Sequence, residues 1–209
     1  GTSKITKTFL SAASNVPGFK LEATYSRNIK NAIEFGTPYN VTKFYDSLKA
    51  LAEDRTIDAV YIASPNAFHC SQAIQMMKAG KHVLCEKSLA SNKKEAEEMF
   101  RTAAENNVIL LEAMRPVFDP GMDAVKASLN KLGVIRRATL NYCQYSSRYD
   151  SFLQGHEHNI FSKECSAGAL MDIGTYCVHS LLCLFGKPQK VMGFSDMIRG
   201  DIDGAGTIL

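Results

Sequence analysis

Two polar pairs in this chain have the residue types and spacing for acid–base chemistry. Glu86-Lys87 closes a short apolar run, and Asp172-x-x-x-Tyr176 sits on an otherwise apolar stretch with His179 close behind. An ammonium held beside a carboxylate can hydrogen-bond a hydroxyl and stabilise a developing alkoxide, although lysines at such positions are also commonly plain surface residues. On a helix, a spacing of four sets Asp172 and Tyr176 on one face, and a spacing of seven keeps His179 near it. Polar side chains on an apolar helix need partners when buried. A catalytic pair and a satisfied core network both answer that need.

Two further stretches have the character of a dinucleotide site. Gly1-Thr2-Ser3-Lys4-Ile5-Thr6 precedes the first amphipathic segment, where a phosphate-binding turn belongs. Against G-x-G-x-x-G only Gly1 matches, with Ser3 and Thr6 at the other glycine positions. Small residues still let amides at a helix start approach a pyrophosphate, although the same residues make an ordinary loop. Ser26-Arg27 follows an alternating run and carries no carboxylate. An acidic residue at that strand tip holds the ribose of NAD, whereas an arginine accommodates the 2′-phosphate of NADP. NADP is therefore expected ahead of NAD, unless Arg27 is simply a solvated surface residue. His156-Glu157-His158 has no further His or Cys at ligand spacing, so these histidines read as solvated loop residues and no metal is expected.

The elements that must position these groups follow from hydrophobic periodicity. Residues 59–63 and 83–85 are short, apolar and rich in β-branched residues, as expected of parallel strands buried on both faces. Residues 67–79 have helical length and stop at Gly80. This βαβ unit sends the Ser64-Pro65-Asn66 and Glu86-Lys87-Ser88 loops to one crevice beyond the strand ends. Earlier, the pattern predicts a helix over 5–13, a strand over 20–26, a helix over 28–35 and an extended piece over 41–45. Asp46 is expected to cap a helix through Ala52. Asn92-x-x-Glu95 fits a capping box before a helix to about residue 106, and 108–112 is the next buried strand. Strict alternation to about residue 113 marks a doubly wound parallel sheet.

Beyond Met114 the texture changes. A helix over 120–131, a long antiparallel-type strand over 135–146, a loop over 147–166, an apolar helix over 167–185 and strands over 190–195 and at the C-terminus are expected. The chain opens on a loop and stops in a strand, so it reads as truncated at both ends.

Composition narrows the function classes. With 45% hydrophobic and 22% charged residues the 209-residue chain is ordinary for a globular protein. A net charge of +3 with scattered Lys and Arg gives no footprint for nucleic acid. No uninterrupted apolar run reaches the ~18 residues of a membrane span and no secretory pattern opens the chain, so a cytoplasmic location is expected. The six cysteines contain no C-x-x-C pair and mostly lie in apolar segments, as reduced core thiols do.

Three motifs occurring together identify a family resemblance. Ala63-Ser64-Pro65-Asn66-x-x-His69, Ala79-Gly80-Lys81-His82-Val83-x-x-Glu86-Lys87 and Gly168-Ala169-Leu170-Met171-Asp172-Ile173-Gly174-x-Tyr176 closely resemble the Gfo/Idh/MocA oxidoreductases over nearly the whole chain. The resemblance implies an α/β fold with an N-terminal Rossmann dinucleotide-binding domain, residues 1–113 with its first strand missing. It also implies an incomplete α+β domain, residues 114–209, with a large, mostly antiparallel sheet used for substrate binding and oligomerisation. It assigns Lys87, Asp172 and Tyr176 to catalysis. The cofactor would be held by Gly1, Thr2, Ser3, Lys4, Ile5, Ser26, Arg27, Ser64, Pro65, Asn66, His69, Glu86, Lys87 and Arg115. A tyrosine at position 176 is similar to the NADP-using branch of the family.

The function implied is an NADP-dependent oxidoreductase acting on a sugar, polyol or diol, with no metal and no nucleic-acid or membrane partner, assembled as a homodimer or homotetramer. His179 is the substitute acid/base. The alternative is a non-catalytic dinucleotide sensor on the same fold. Ser88 stands where the family has proline, and a non-proline cis bond costs ~3 kcal/mol. A trans or strained loop is therefore expected after Lys87, with the lysine displaced. Ser3 and Thr6 similarly set tight pyrophosphate binding in question.

Overall fold

The computed structural model describes residues 1–209, which divide into two compact units, Gly1–Glu112 and Ala113–Leu209. The first unit alternates helix and strand: α1 (Lys4–Ala13), β1 (Ala23–Tyr25), α2 (Ile29–Gly36), β2 (Lys43–Tyr45), α3 (Leu48–Glu53), β3 (Ala59–Ile62), α4 (His69–Lys78), β4 (His82–Cys85), α5 (Lys93–Glu105) and β5 (Leu110–Glu112). All its ladders are parallel, in two sheets ordered β1-β2 and β3-β4-β5. No strand bridges β1 to β3, so the alternation predicted from sequence forms two parallel sheets here.

Local chemistry fixes the element ends. Asn28 accepts from the Lys30 amide at 3.0 Å and Asn92 from the Glu95 amide at 3.0 Å, each occupying an orphan donor of a helix start. Glu95 reaches back to the Ser91 amide at 2.9 Å, one residue before the expected box partner. Ser47, not Asp46, caps α3, because its hydroxyl accepts from Ala50 N at the third helical position. Gly80 ends α4 with φ +77°, a left-handed conformation that favours glycine.

The core is built from Ile62, Ala73, Met76, Met77, Val83, Cys85, Met99 and Leu110, with α4 and α5 closing one side of the three-stranded sheet. The strands are less enclosed than expected, since Leu111 is 51% exposed and Ala59 is also at the surface. Strand β5 is a sheet edge. Cys70 and Cys85 are core thiols as expected, whereas Cys143 is exposed because its segment packs on no core.

The second unit contains α6 (Pro120–Ser128), α7 (Tyr149–Leu153), a π-helical turn (Leu170–Gly174), α8 (Thr175–Phe185), and the antiparallel pair β6 (Gly193–Ile198) and β7 (Ile202–Ile208). The expected strand over 135–146 does not form, because alternation selects a face but a strand needs a partner and no segment pairs with it. The expected loop over 147–166 instead holds α7 and two 3₁₀ turns, Asn159–Phe161 and Lys163–Cys165. Tyr149, Phe152 and Phe161 pack together within it at centroid distances of 4.7–6.0 Å. Strand β6 spans Gly193–Ile198 rather than 190–195, paired antiparallel with β7 across the Arg199-Gly200-Asp201 turn, whose last two residues have φ +88° and +53°.

Residues 163–185 are long and apolar enough, by length and composition, to cross a membrane. Ser166 and Gly168 interrupt that stretch with φ +52° and +105°, so continuous helix runs only from Leu170 to Phe185. That is shorter than the ~20 residues of a typical span.

Candidate functional site

In the first unit, the exits of β3 and β4 carry the residues singled out by sequence. Lys87 follows Glu86 directly beyond β4. The Glu86 carboxylate accepts from the Tyr61 hydroxyl at 2.5 Å and from the Lys87 amide at 3.3 Å. Burial, and then the hydrogen bond to Glu86, push the Tyr61 phenol well above its ordinary range. Tyr61 therefore remains a donor throughout the working pH range. Its ring stacks on Phe9 of α1 at 4.0 Å. A chain of contacts thus runs from the first helix through Tyr61 to the backbone of the lysine.

The Lys87-Ser88 peptide is cis, which corrects the trans alternative of the trans or strained loop expected from sequence. Tertiary contacts on both sides set the loop: His69 Nδ1 lies 2.8 Å from Ser88 O, and the Leu89 amide donates to Glu112 Oε1 at 2.9 Å. Sequence reasoning missed Tyr61 and Glu112, since neither lies in a motif and each is recruited across the sheet.

The β3 exit is organised in the same way. Ser64 Oγ donates to Gln72 Oε1 at 2.8 Å, and the Phe68 amide closes on Pro65 O at 2.9 Å around Asn66. His69 opens α4 fully enclosed, its Nε2 lying 2.9 Å from Ser64 O. Burial lowers its pKa below the ordinary value, while the two carbonyls and the carboxylates of Glu86 and Glu112 pull it upward.

The glycine turn lies against this exit. A Cβ on Gly1 would meet Ala63 O at 2.1 Å, so only glycine fits there. Thr2 follows, and Ser3 sits at the N-cap of α1 without a side-chain cap bond, which leaves the first-turn amides of Lys4, Ile5 and Thr6 without a side-chain acceptor. The enclosed Thr6 hydroxyl has no partner. Uncapped amides and an unpartnered hydroxyl beside a close-packed glycine fit a pyrophosphate. At the β1 exit, Ser26 Oγ accepts from the Asn28 amide at 3.4 Å, and the Arg27 guanidinium lies 5.9 Å over the Phe68 ring. Phe68, also absent from the sequence reading, thereby connects the β1 and β3 exits.

In the second unit, Asp172 and Tyr176 lie on a widened helix. The Thr175 amide bonds Leu170 O, an i→i+5 step, so the turn between them is π-helical. Such turns recur at functional sites. Gly168 precedes it at φ +105°, and a Cβ there would meet Asp203 Oδ1 at 1.9 Å. The same carboxylate accepts from the Leu170 amide at 2.6 Å, capping the helix start from β7. Tyr176 packs near Tyr142 with centroids 5.7 Å apart, and His179 Nε2 lies 3.2 Å from Cys183 Sγ. Arg115 begins a 3₁₀ turn to Phe118. His156 and His158 both bond Ser151, at 3.1 Å each.

Comparison with known proteins adds a family and relatives. Residues 1–114 match the family model described as oxidoreductase family, NAD-binding Rossmann fold (Gfo/Idh/MocA), and residues 126–209 match the Gfo/Idh/MocA C-terminal domain. The chain is 46% identical over 209 residues to scyllo-inositol 2-dehydrogenase (NADP(+)) IolU of Bacillus subtilis, covering 100% of this chain and 64% of that protein. It is 29% identical to trans-1,2-dihydrobenzene-1,2-diol dehydrogenase of Mus musculus, covering 98% and 61%. Among solved structures it is similar to the 3-ketoreductase KijD10 of Actinomadura kijaniata in complex with NADP and TDP-benzene, at 25% identity and a TM-score of 0.81 over 99% of this chain and 62% of that one. The chain thus spans under two thirds of the length of each of these three proteins.

Proposed function

This chain belongs to the Gfo/Idh/MocA oxidoreductase family, and on that premise we propose that the full protein is an NADP-dependent oxidoreductase of sugars, polyols or diols. It would move a hydride between the nicotinamide and a carbon bearing a hydroxyl or carbonyl. The observation that carries this reading is the gathering of Gly1, the Ser64–Asn66 loop and Arg27 around the β3 exit, next to the strand that leads to Lys87. Relatives named for inositol and dihydrodiol oxidation support the substrate class, and NADP in the name of IolU and in the KijD10 complex supports the cofactor.

The cofactor's pyrophosphate would rest on Gly1, Thr2, Ser3, Lys4 and Ile5, its 2′-phosphate on Ser26 and Arg27, and its ribose and nicotinamide side on Ser64, Pro65, Asn66, Glu86 and Arg115. When bound, it supplies the hydride acceptor or donor. The chain's own groups handle the proton and the charge. In the oxidation direction Tyr176, as its phenolate, takes the hydroxyl proton, Lys87 stabilises the developing oxyanion, and Asp172 orients the substrate or the lysine. The same reading places the protein in the cytoplasm as a homodimer or homotetramer without nucleic-acid or membrane partners.

A fluorescence titration of the full-length protein with NADPH and NADH, beside Arg27→Ala, tests the cofactor assignment. Micromolar binding that prefers NADPH and loses the preference in the variant is expected. Binding of neither cofactor would discard the reading. Turnover on a panel of sugars and diols separates the enzyme from a sensor that binds without reacting, and Lys87→Met should lower that turnover by about 10²–10³-fold.

A further inference from the structure

We propose that the His69 imidazole ties the cofactor-side loop at Ser64 to the lysine loop at Ser88, making it the positioning residue that holds Lys87 in register with the bound cofactor. The proposal rests on the oxidoreductase reading and deepens it. Its basis is geometric. The ring is fully enclosed, its Nε2 lies 2.9 Å from Ser64 O beyond β3, and its Nδ1 lies 2.8 Å from Ser88 O, one residue past Lys87. One rigid ring therefore spans two loops that belong to different strands. Both loops are also anchored separately, Ser64 by Gln72 and the Leu89 amide by Glu112, so each has a defined place for the ring to connect.

The chemistry of the partners makes this a specific device. Carbonyl oxygens only accept, and a neutral imidazole donates from only one nitrogen. The neutral ring holds one loop, and the imidazolium holds both. The groups acting on that proton are the carboxylates of Glu86, beyond β4, and Glu112, on β5. The Tyr61 hydroxyl from β3 is bonded to Glu86. Protonation gains the second hydrogen bond at the expense of a charge in an enclosed place. In the imidazolium each nitrogen serves one loop, so in that form the two connections can be cut independently.

Two variants read them apart in the full-length protein. The carboxamide nitrogen of His69→Asn stands in for Nδ1 and keeps the Ser88 connection; that of His69→Gln stands in for Nε2 and keeps the Ser64 connection. The expected result is a split. At a pH low enough to protonate the ring, where the imidazolium holds both loops, His69→Asn raises the KM for NADPH about tenfold with kcat within about threefold, and His69→Gln lowers kcat about tenfold with the cofactor KM within about threefold, each fold-change corresponding to the loss of one buried hydrogen bond. Thermal unfolding of both variants identifies losses that merely follow the folded fraction. Parallel loss of both parameters in both variants, or no change in either, overturns the proposal.

A second readout needs no turnover. Imidazole ¹⁵N resonances of the cofactor-free protein, followed with pH, should show His69 titrating below a solvent-exposed histidine, with the Ser64 and Ser88 backbone signals moving along the same curve. An ordinary titration, or loop signals indifferent to it, overturns the tie. Linked titration in a protein that binds neither cofactor would leave the tie standing and remove the oxidoreductase reading instead.

Discussion

The two units position their polar groups by opposite means. In the first, Met76, Met77, Met99 and Cys85 are enclosed, and the loops that carry Lys87 and Ser64 hang from strands anchored in that core. In the second, Val178, Leu182 and Phe185 of the helix bearing Tyr176 are exposed, and few side chains of the unit are buried. What holds that helix start is local and polar: the Asp203 carboxylate on the Leu170 amide, and a glycine at 168 that alone leaves room for it. Burial places the polar groups of the first unit, and capping places those of the second.

Core truncation should break this contrast most visibly if it is mistaken. Met99→Ala, at 0% exposure, should cost about 2–5 kcal/mol in denaturant unfolding of the 209-residue chain. Leu182→Ala, at 42% exposure, should stay within about 0.5 kcal/mol. Equal costs would show that the second unit has a core of comparable weight. Gly168→Ala comes next, at roughly 1–3 kcal/mol, because it adds backbone strain at a positive φ and displaces the capping carboxylate. Removing only the cap with Asp203→Ala should cost about 1 kcal/mol and disorder the π turn, visible as faster amide exchange at Leu170 while β4 amides are unchanged.

The smallest effect is a pH dependence confined to the first unit. Burial holds the His69 pKa below 6.5, so as pH falls the unfolded chain takes up that proton before the folded one does. Its contribution to stability is full above pH 6.5 and is lost as pH drops through the folded-state value. Unfolding measured across that window should slope downward toward acid in the wild type and flatten in His69→Gln. A slope unchanged by the substitution would assign the titration to another group.

Much of the first unit was legible because its signals are local. The apolar runs over 59–63 and 83–85, the Asn92 cap and the Gly80 stop all depend on neighbours in sequence. The strand expected over 135–146 failed for the converse reason, since its alternation was present but pairing needs a partner that periodicity does not contain. Strand β6 is likewise displaced from the run over 190–195, to Gly193–Ile198, where it pairs with β7, a partner that the apolar run does not contain.

The sequence by itself determined which residues are available for chemistry, Lys87, Asp172, Tyr176 and Arg27 among them, because their types and spacing recur as motifs. It also determined the parallel α/β alternation, which follows from periods of two and 3.6. Only the tertiary structure decided what supports those groups. Tyr61 reaches Glu86 from the neighbouring strand, Glu112 holds the Leu89 amide from the next one, His69 spans two loops, and Asp203 caps a helix far behind it in sequence. These partners meet through strand adjacency and the turn of a hairpin. Hydrogen bonds act over about 3 Å of space, a distance that no spacing along the chain encodes.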